Sequence, residues 1–159
     1  MYVGIESSDE NVRKNSNRIS ENNFSQEEKI HYLENIGIKV KAMYIVGMPT
    51  DTIETFKKTI EFAKKIKSSY AQFSVFTPYP GTPIFREYQK KIITKKYEDF
   101  TQWQLIFEHP NFKPEDISNL LNYSYKQYYF NINWIFKFLV NKIKGIYEGL
   151  YNRIFGFSR

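Results

Sequence analysis

The chain has 159 residues, of which 42% are hydrophobic and 25% charged, a balance that indicates a folded globular chain of about one domain. It contains no cysteine, which excludes a disulfide framework, a thiolate metal site and a cysteine-ligated iron–sulfur cluster held by this chain alone. The net charge of +6 favours anionic partners only mildly, and we expect no nucleic-acid partner.

The sequence predicts neither a membrane-spanning segment nor a signal peptide. The apolar run at residues 134–140 is interrupted by Lys137 and flanked by asparagines, so it falls short of the roughly 20 apolar residues that a spanning helix needs. The first residues lack the apolar core of a signal peptide. We therefore expect a cytoplasmic location and leave association with a membrane surface open.

Strand and helix patterns alternate along the first part of the chain. Tyr2–Ile5 is predicted to be a short strand that delivers polar residues to its carboxyl end. Ser25 and Glu28 form a capping-box pair that opens a helix, and Gly37 ends it. Residues 38–46 predict a second strand, buried on both faces, because the pattern changes from alternation to a continuous apolar run.

The same order of elements then repeats. Asp51 with Glu54 is predicted to cap a second amphipathic helix. Residues 70–76 predict a third strand, and the proline-rich turn after it ends where Thr82 caps a short helix that starts with Pro83.

The spacing of these elements predicts an α/β fold. Strands that start near residues 2, 38 and 70 are separated by one helix each, which implies parallel strands joined by right-handed crossovers. We therefore expect a partial TIM-type barrel of three β/α units over residues 1–91. An all-helical C-terminal extension is expected over residues 92–159, with one helix from Pro114 and another over about residues 132–155.

The last predicted helix combines large aromatic residues with lysines and an arginine. This composition permits two arrangements, and we expect most of the apolar side chains to pack internally. The alternative is an exposed face that binds an anionic membrane surface or a partner protein. The basic residues in this part of the chain are Lys126, Lys137, Lys142, Lys144 and Arg153.

Ligands of parallel α/β folds bind at the carboxyl ends of the strands, so the loops after the three strands are the candidate site. Glu6 could accept hydrogen bonds from a ribose diol, Gly47 would let a ligand approach the backbone, and Arg18 could pair with a carboxylate. This set suits a nucleoside that carries an anionic group. The structural alternative, which spacing alone favours, is that Glu6 pairs with a lysine, Gly47 and Pro49 shape a turn, and Arg18 is a solvated surface charge.

Other catalytic signals are weak. His31 and His109 are the only histidines, and neither has ligand-type spacing to a carboxylate, so packing or surface roles are expected for both. The sequence contains no serine-nucleophile, Walker or dinucleotide-binding motif.

The strand ends, taken together, resemble a known family. They are Gly4-Ile5-Glu6-Ser7, Tyr44-Ile45-Val46-Gly47-Met48-Pro49-Thr50-Asp51-Thr52 and Phe73-Ser74-Val75-Phe76-Thr77-Pro78-Tyr79-Pro80-Gly81-Thr82-Pro83. In this order they resemble the later strands of a radical S-adenosylmethionine (SAM) enzyme barrel, most closely the Elongator-3-like and cobalamin-binding branch. The resemblance covers about residues 1–90, and residues 103–129 resemble less specifically the helical tail of the cobalamin-binding members.

The resemblance implies a partial (β/α)6 barrel in which a [4Fe-4S] cluster reduces SAM to give a 5'-deoxyadenosyl radical. It implies that Glu6 contacts the ribose or methionine part of SAM and that Arg18 pairs with its carboxylate. It also implies that the backbone near Gly47-Met48-Pro49 lies by the adenine. It further implies that Ser7 and Thr77 belong to the SAM-contacting set. The chain departs from the family pattern at Thr50-Asp51, where Gly-Glu is usual, and at Ser8, where glycine is frequent.

The largest departure is the missing C-x-x-x-C-x-x-C loop that holds the cluster in the family. We therefore expect a C-terminal portion of such an enzyme, inactive alone, whose N-terminal half belongs to the same protein or to a separate chain. The substrate is unknown, and cobalamin is a possible further cofactor. The alternatives are a non-catalytic module that docks on a membrane or partner through its last helix, and an inactive truncated remnant.

Overall fold

The computed structural model describes residues 1–7 and 25–155, except for the side chains of Glu6 and Phe155. These residues form three strands and five α-helices. Their bounds are β1 (Tyr2–Glu6), α1 (Gln26–Asn35), β2 (Lys41–Val46), α2 (Ile53–Ile66), β3 (Tyr70–Val75), α3 (Pro83–Tyr88), α4 (Pro114–Tyr129) and α5 (Ile132–Phe155).

The three strands form one parallel sheet in the order β1-β2-β3. This confirms the predicted α/β fold with three parallel strands, whereas their membership of a barrel stays a prediction. The second strand begins at Lys41 rather than at residue 38. The backbone N–H of Val40 donates to the Glu34 carboxylate at 2.9 Å, so the loop before β2 is tied to α1 instead.

The termini of α1 match the local sequence signals. The Ser25 hydroxyl accepts from the backbone N–H of Glu28 at 3.2 Å, and the Glu28 carboxylate accepts from the backbone N–H of Ser25 at 2.7 Å. This reciprocal pair confirms the predicted capping box. Gly37, just after the helix, has a φ of 88°, which confirms that it provides the left-handed stop.

The predicted cap of α2 is wrong. Thr52 caps this helix and forms a capping box with Thr55, so the Asp51–Glu54 pair does not. The Asp51 carboxylate instead accepts hydrogen bonds from the backbone N–H of Met48 at 3.0 Å and from the Thr55 hydroxyl at 3.0 Å. Asp51 therefore ties the loop before the helix to the first helical turn.

The core lies between one face of the sheet and the helices α1, α2 and α4. Tyr44 of β2 and Phe73 of β3 stack with their ring centroids 5.1 Å apart, and Tyr125 and Tyr128 of α4 meet Phe73 edge-on. Helix α4 also contributes Ile117 to this core. The division of the chain at residue 91 stays a prediction, but the core contains side chains from both sides of it.

The opposite face of the sheet is only partly covered. Residues Met43 and Ile45 of β2 and Gln72 of β3 are half-buried, whereas their strand neighbours on the core side are fully buried. The prediction that the second strand is buried on both faces is therefore wrong for the described residues. No described helix packs over this second face.

The segment between α3 and α4 is largely non-helical. Two short 3-10 turns, Gln89–Lys91 and Tyr97–Asp99, are its only helical parts. Ile92 and Phe107 form an antiparallel bridge, beside which the Ile93 N–H donates to the Ile106 carbonyl at 2.9 Å. Among the described residues, the expectation of an all-helical extension therefore holds only for α4 and α5, from Pro114 to Phe155.

The outer edge of β3 is closed by side chains of α4. The Tyr129 hydroxyl accepts from the Ala71 N–H at 3.0 Å and donates to the Ala71 carbonyl at 2.7 Å. The Tyr125 hydroxyl makes the same pair of bonds to Phe73, at 3.2 and 3.1 Å. We call Tyr125 and Tyr129 the tyrosine edge cap, since they satisfy backbone groups that an added strand would otherwise use.

Helix α5 is mostly uncovered. Beyond its first turns, Ile143, Ile146, Leu150 and Ile154 are 53% to 70% exposed. The expectation that its apolar side chains pack internally is therefore wrong for most of the helix. None of the helices in residues 25–155 is long and apolar enough to cross a membrane.

Candidate functional site

The loops after the three strands lie along one edge of the sheet. The parallel ladder pairs Val46 with Val75 at the ends of β2 and β3, and Glu6 with Tyr44 near the end of β1. The ladder continues one step, since the Phe76 N–H donates to the Val46 carbonyl at 2.8 Å. The chain segments that carry the predicted site residues therefore start side by side.

A cavity of about 300 Å³ opens on the partly covered face of the sheet, toward this edge. Its size is at the lower end of the range for small-molecule sites. It is lined by Gly4, Met43, Tyr44, Ile45, Ser74, Val75, Phe76, Thr77, Tyr79 and Gln102. Of the predicted site residues, Thr77 lines this cavity.

The cavity combines apolar walls with a few polar groups. Met43 and Ile45 supply aliphatic surface, and Ser74 supplies a hydroxyl that accepts from the Gln72 amide at 3.2 Å. The Thr77 hydroxyl is oriented by the carbonyl groups of Val75 and Thr101, at 3.1 and 2.8 Å. An arrangement of this kind suits a flat, largely apolar ligand with polar groups at its rim, such as a purine.

The loop after β2 is held in a tight turn. The Met48 carbonyl accepts from the Asp51 N–H at 2.7 Å, while the Met48 N–H donates to the Asp51 carboxylate at 3.0 Å. Met48 and Asp51 are only 2% and 3% exposed, and Pro49 is half-buried between them. The backbone that the sequence predicts to lie near an adenine is therefore a hydrogen-bonded turn, and its Met48 side chain is buried.

Two residues from the segment before α4 brace this turn. The ring Nε2 of His109 lies 2.8 Å from the Met48 carbonyl oxygen, and the side-chain amide of Asn111 donates to the Asp51 carbonyl at 2.8 Å. The backbone N–H of Asn111 donates to Nδ1 of His109 at 3.0 Å. Because Nδ1 accepts, the ring is neutral and Nε2 carries the hydrogen that is donated to Met48.

Burial favours the same neutral form of the imidazole. It lowers the pKa of His109 below the ordinary value of 6.5, and the bond to the Met48 carbonyl opposes this effect only in part. The ring lies between Phe107 and Phe112, with centroid distances of 5.7 and 4.8 Å. His109 therefore positions the Met48 turn as a neutral donor.

Gly47 meets two separate demands at this turn. Its φ is 71°, in the left-handed region that favours glycine. A Cβ added to it would lie 3.1 Å from Cδ1 of Ile117 in α4. The space where a side chain of residue 47 would lie is thus taken up by Ile117 of α4.

The remaining predicted residues are placed only in part. Ser7 is buried, and its hydroxyl lies 3.3 Å from the Thr59 hydroxyl on α2. Glu6 is the last residue of β1, but its side chain is outside the described part of the structure, as is Arg18 altogether. Their assignment to SAM stays a prediction.

Sequence reasoning missed His109 and Asn111. They contact Met48 and Asp51 across 61 and 60 residues of chain, and no local spacing connects them. The only local signal is that His109 and Asn111 flank a proline in a loop, which by itself indicates a turn.

The residues of this chain do not fit an iron–sulfur cluster. The sequence contains no cysteine, and the described residues contain no group of three His, Cys, Asp or Glu side chains that could hold a metal ion. Thiolates are the usual ligands of such clusters. The described side chains at the strand ends offer hydroxyl and amide groups and one carboxylate, that of Asp51, which already accepts from the Met48 N–H and the Thr55 hydroxyl.

Comparison with curated proteins gives partial matches to enzymes. An uncharacterized methyltransferase of Pyrococcus horikoshii is 35% identical over 96 residues, which are 58% of this chain and 21% of that protein. The bacteriochlorophyllide d C-12(1)-methyltransferase of Chlorobaculum tepidum is 26% identical over 108 residues, 68% of this chain and 24% of that enzyme. The anaerobic magnesium-protoporphyrin IX monomethyl ester cyclase of Rubrivivax gelatinosus is 28% identical over 107 residues, which are 64% of this chain and 18% of that enzyme.

These matches support a relationship to the radical SAM superfamily over part of the chain, and they do not single out a branch. The chain spans about a fifth of the length of the relatives named above, between 18% and 24%. No protein-family model matches the chain.

Proposed function

We propose that this chain is the C-terminal portion of a radical SAM enzyme and contributes SAM-binding and substrate-facing loops for 5'-deoxyadenosyl-radical chemistry. The observation that carries the proposal is the convergence of three family-like strand ends at one edge of a parallel sheet, beside a cavity of about 300 Å³. The partial matches to methyltransferases and a cyclase are in accord with it.

In this proposal different residues contact different parts of SAM. Glu6 and Ser7 contact the ribose or methionine part, and Arg18 pairs with the carboxylate. The backbone of the Met48 turn lies by the adenine, and Thr77 contributes to the wall of the cavity that holds the ligand. His109 fixes the shape of the turn and needs no contact with the ligand.

The iron–sulfur cluster of the family would be held by other residues, since this chain has no cysteine. We propose that an N-terminal half, in the same protein or in a separate chain, supplies them and extends the sheet beyond β1. The tyrosine edge cap supports an extension at β1 rather than at β3, because it already bonds the backbone groups of Ala71 and Phe73 on the outer edge of β3. We further propose the cobalamin-binding branch, on the resemblance of residues 103–129 to its helical tail.

The test is to titrate SAM into the full chain with ¹³C-labelled methionine methyl groups and to record their NMR signals. The chain has three methionines, and they report on different places. Met43 lines the cavity, Met48 belongs to the turn, and Met1 is 62% exposed at the start of β1. We expect saturable shifts for Met43 and Met48 and none for Met1, whereas a silent Met43 would contradict the proposal.

A pair of arginine variants tests the assignment of the carboxylate. In the enzyme completed with its N-terminal half, Arg18→Ala is expected to weaken SAM binding by about 1 to 3 kcal/mol, the cost of a lost charge-assisted hydrogen bond. Arg13→Ala removes the same charge five positions earlier and serves as the matched control. Equal affinities in the two variants would rule out the role of Arg18.

A further inference from the structure

Helix α5 carries a continuous apolar stripe that the described part of the protein does not cover. Its 24 residues are about 36 Å long at 1.5 Å per residue. Large apolar side chains recur along it at helical spacing and stay 50% to 80% exposed. Members of this stripe include Ile132, Phe136, Leu139, Ile143, Leu150 and Ile154.

The opposite side of α5 attaches it to the rest of the protein. The Trp134 indole donates to the Ser69 carbonyl at 3.1 Å. The Lys137 ammonium donates to the Glu34 carboxylate at 3.1 Å and to the Lys67 carbonyl at 2.7 Å. At about 100° per residue, Trp134 and Lys137 lie well away from the centre of the apolar stripe. The stripe therefore faces away from the body of the protein.

This attachment is built on a buried carboxylate. Glu34, whose side chain is 9% exposed, also accepts from the Ser69 N–H at 2.7 Å and the Ser69 hydroxyl at 2.8 Å. Burial alone would raise the pKa of Glu34, but these bonds and the one from Val40 outweigh it and lower the pKa. The ionised carboxylate thus holds Lys137 and fixes the start of α5 on the core.

The charges of α5 are arranged along both edges of the stripe. Lys144 lies at one edge, beside Tyr147, and Lys142 and Arg153 lie at the other when the residues are placed at about 100° intervals. Glu148 is the one acidic residue among residues 132–155. Long basic side chains at the edges of an apolar face can reach the headgroup region while the face itself is immersed.

We propose that α5 docks on an anionic lipid surface, lying in its plane with the apolar stripe in the boundary between headgroups and acyl chains. The cations at both edges complement lipid phosphates and carboxylates. A second copy of the chain fits less well, because pairing two stripes would bring these cations together with one acidic residue in each helix. The stripe, about 140° wide from Ile146 to Tyr151 at 100° per residue, is also broader than the narrow seam of a two-stranded coiled coil.

The experiment is co-sedimentation of the full chain with vesicles of equal parts phosphatidylcholine and phosphatidylserine, and with vesicles of phosphatidylcholine alone. We expect binding to the anionic vesicles that falls as salt is raised. Lys144→Gln is expected to lower the partition coefficient about fivefold, because each lysine near an anionic surface contributes about 1 kcal/mol to binding. Equal binding to both vesicles, or no binding to either, would overturn the proposal.

Two charge-adding variants separate the stripe from the rest of the helix. Ile143→Glu places a carboxylate within the stripe, and Asn152→Glu places one on the polar side. Both positions are exposed, so both variants should keep the melting temperature of the unaltered chain. We expect only Ile143→Glu to abolish vesicle binding.

Sedimentation velocity without lipid tests the competing partner. If the unaltered chain forms a dimer that Ile143→Glu dissociates, the stripe is an interface between copies and the lipid proposal fails. If it is monomeric and binds anionic vesicles, the lipid surface is the partner.

Discussion

The histidine that braces the Met48 turn makes the stability of the protein depend on pH. The pKa of His109 is lowered from 6.5 in the folded state, chiefly by burial. At a pH just below 6.5 the unfolded chain therefore binds more protons than the folded one, and stability rises with pH. The contribution of His109 is complete above 6.5 and is lost as the pH falls toward the lowered value.

The magnitude follows from the contacts of the ring. His109→Gln removes the acceptor of the Asn111 N–H and the ring between Phe107 and Phe112, but leaves an amide that can still donate to Met48. One net hydrogen bond is worth about 1 kcal/mol, and an aromatic contact adds about 0.5 to 1. We expect His109→Gln to cost about 1.5 to 2 kcal/mol above pH 6.5. Below pH 6.5, the difference in unfolding free energy between the unaltered chain and His109→Gln should shrink by up to about 1.4 kcal/mol per pH unit.

The assay is urea unfolding, followed by tryptophan fluorescence, at about one pH unit above and one below 6.5. Comparing the variant with the unaltered chain at each pH cancels the titration of all other groups. Asn111→Ala is the matched control, because it removes the neighbouring bond to Asp51 and no titratable group. A difference between His109→Gln and the unaltered chain that is constant, or grows as the pH falls, would refute the reasoning.

Two further substitutions test contacts of α4. In urea unfolding, Gly47→Ala should destabilise the protein by at least about 1 kcal/mol more than Gly37→Ala. Both glycines have a positive φ, but only at Gly47 would the added methyl group crowd Ile117, at 3.1 Å. Equal costs would show that Ile117 yields freely. Tyr129→Phe should cost about 1 to 2 kcal/mol in thermal or urea unfolding through its two bonds to the edge of β3, whereas exposed Tyr123→Phe should change stability by less than about 0.5. A neutral Tyr129→Phe would mean that water replaces the hydroxyl.

Local signals in the sequence predicted what is decided locally. The capping box of Ser25 with Glu28 and the stop at Gly37 involve residues within one turn of each other, and both are confirmed. The cap of α2 was mispredicted because Asp51 and Thr52 are both good capping residues. The choice between them depends on Met48, because its backbone N–H donates to the Asp51 carboxylate and leaves the capping role to Thr52.

Features decided by distant residues were beyond the sequence pattern. The alternation of strands and helices predicted a parallel sheet and the edge where its loops meet, but not that His109 would support one of those loops. The amphipathic pattern of residues 132–155 predicted a helix with an apolar face. It could not show that Trp134 and Lys137 attach the opposite face to the core and leave the apolar one uncovered.

The tyrosine edge cap also limits how this protein can self-associate. An open sheet with two available edges can add strands at both and grow into a fibre. Here the hydroxyl groups of Tyr125 and Tyr129 occupy the outer edge of β3, so that among the described strands the outer edge of β1 is the one without such a cap. Two copies joined through β1 would present a capped edge at each end, so that polymerisation through the sheet would stop at a dimer.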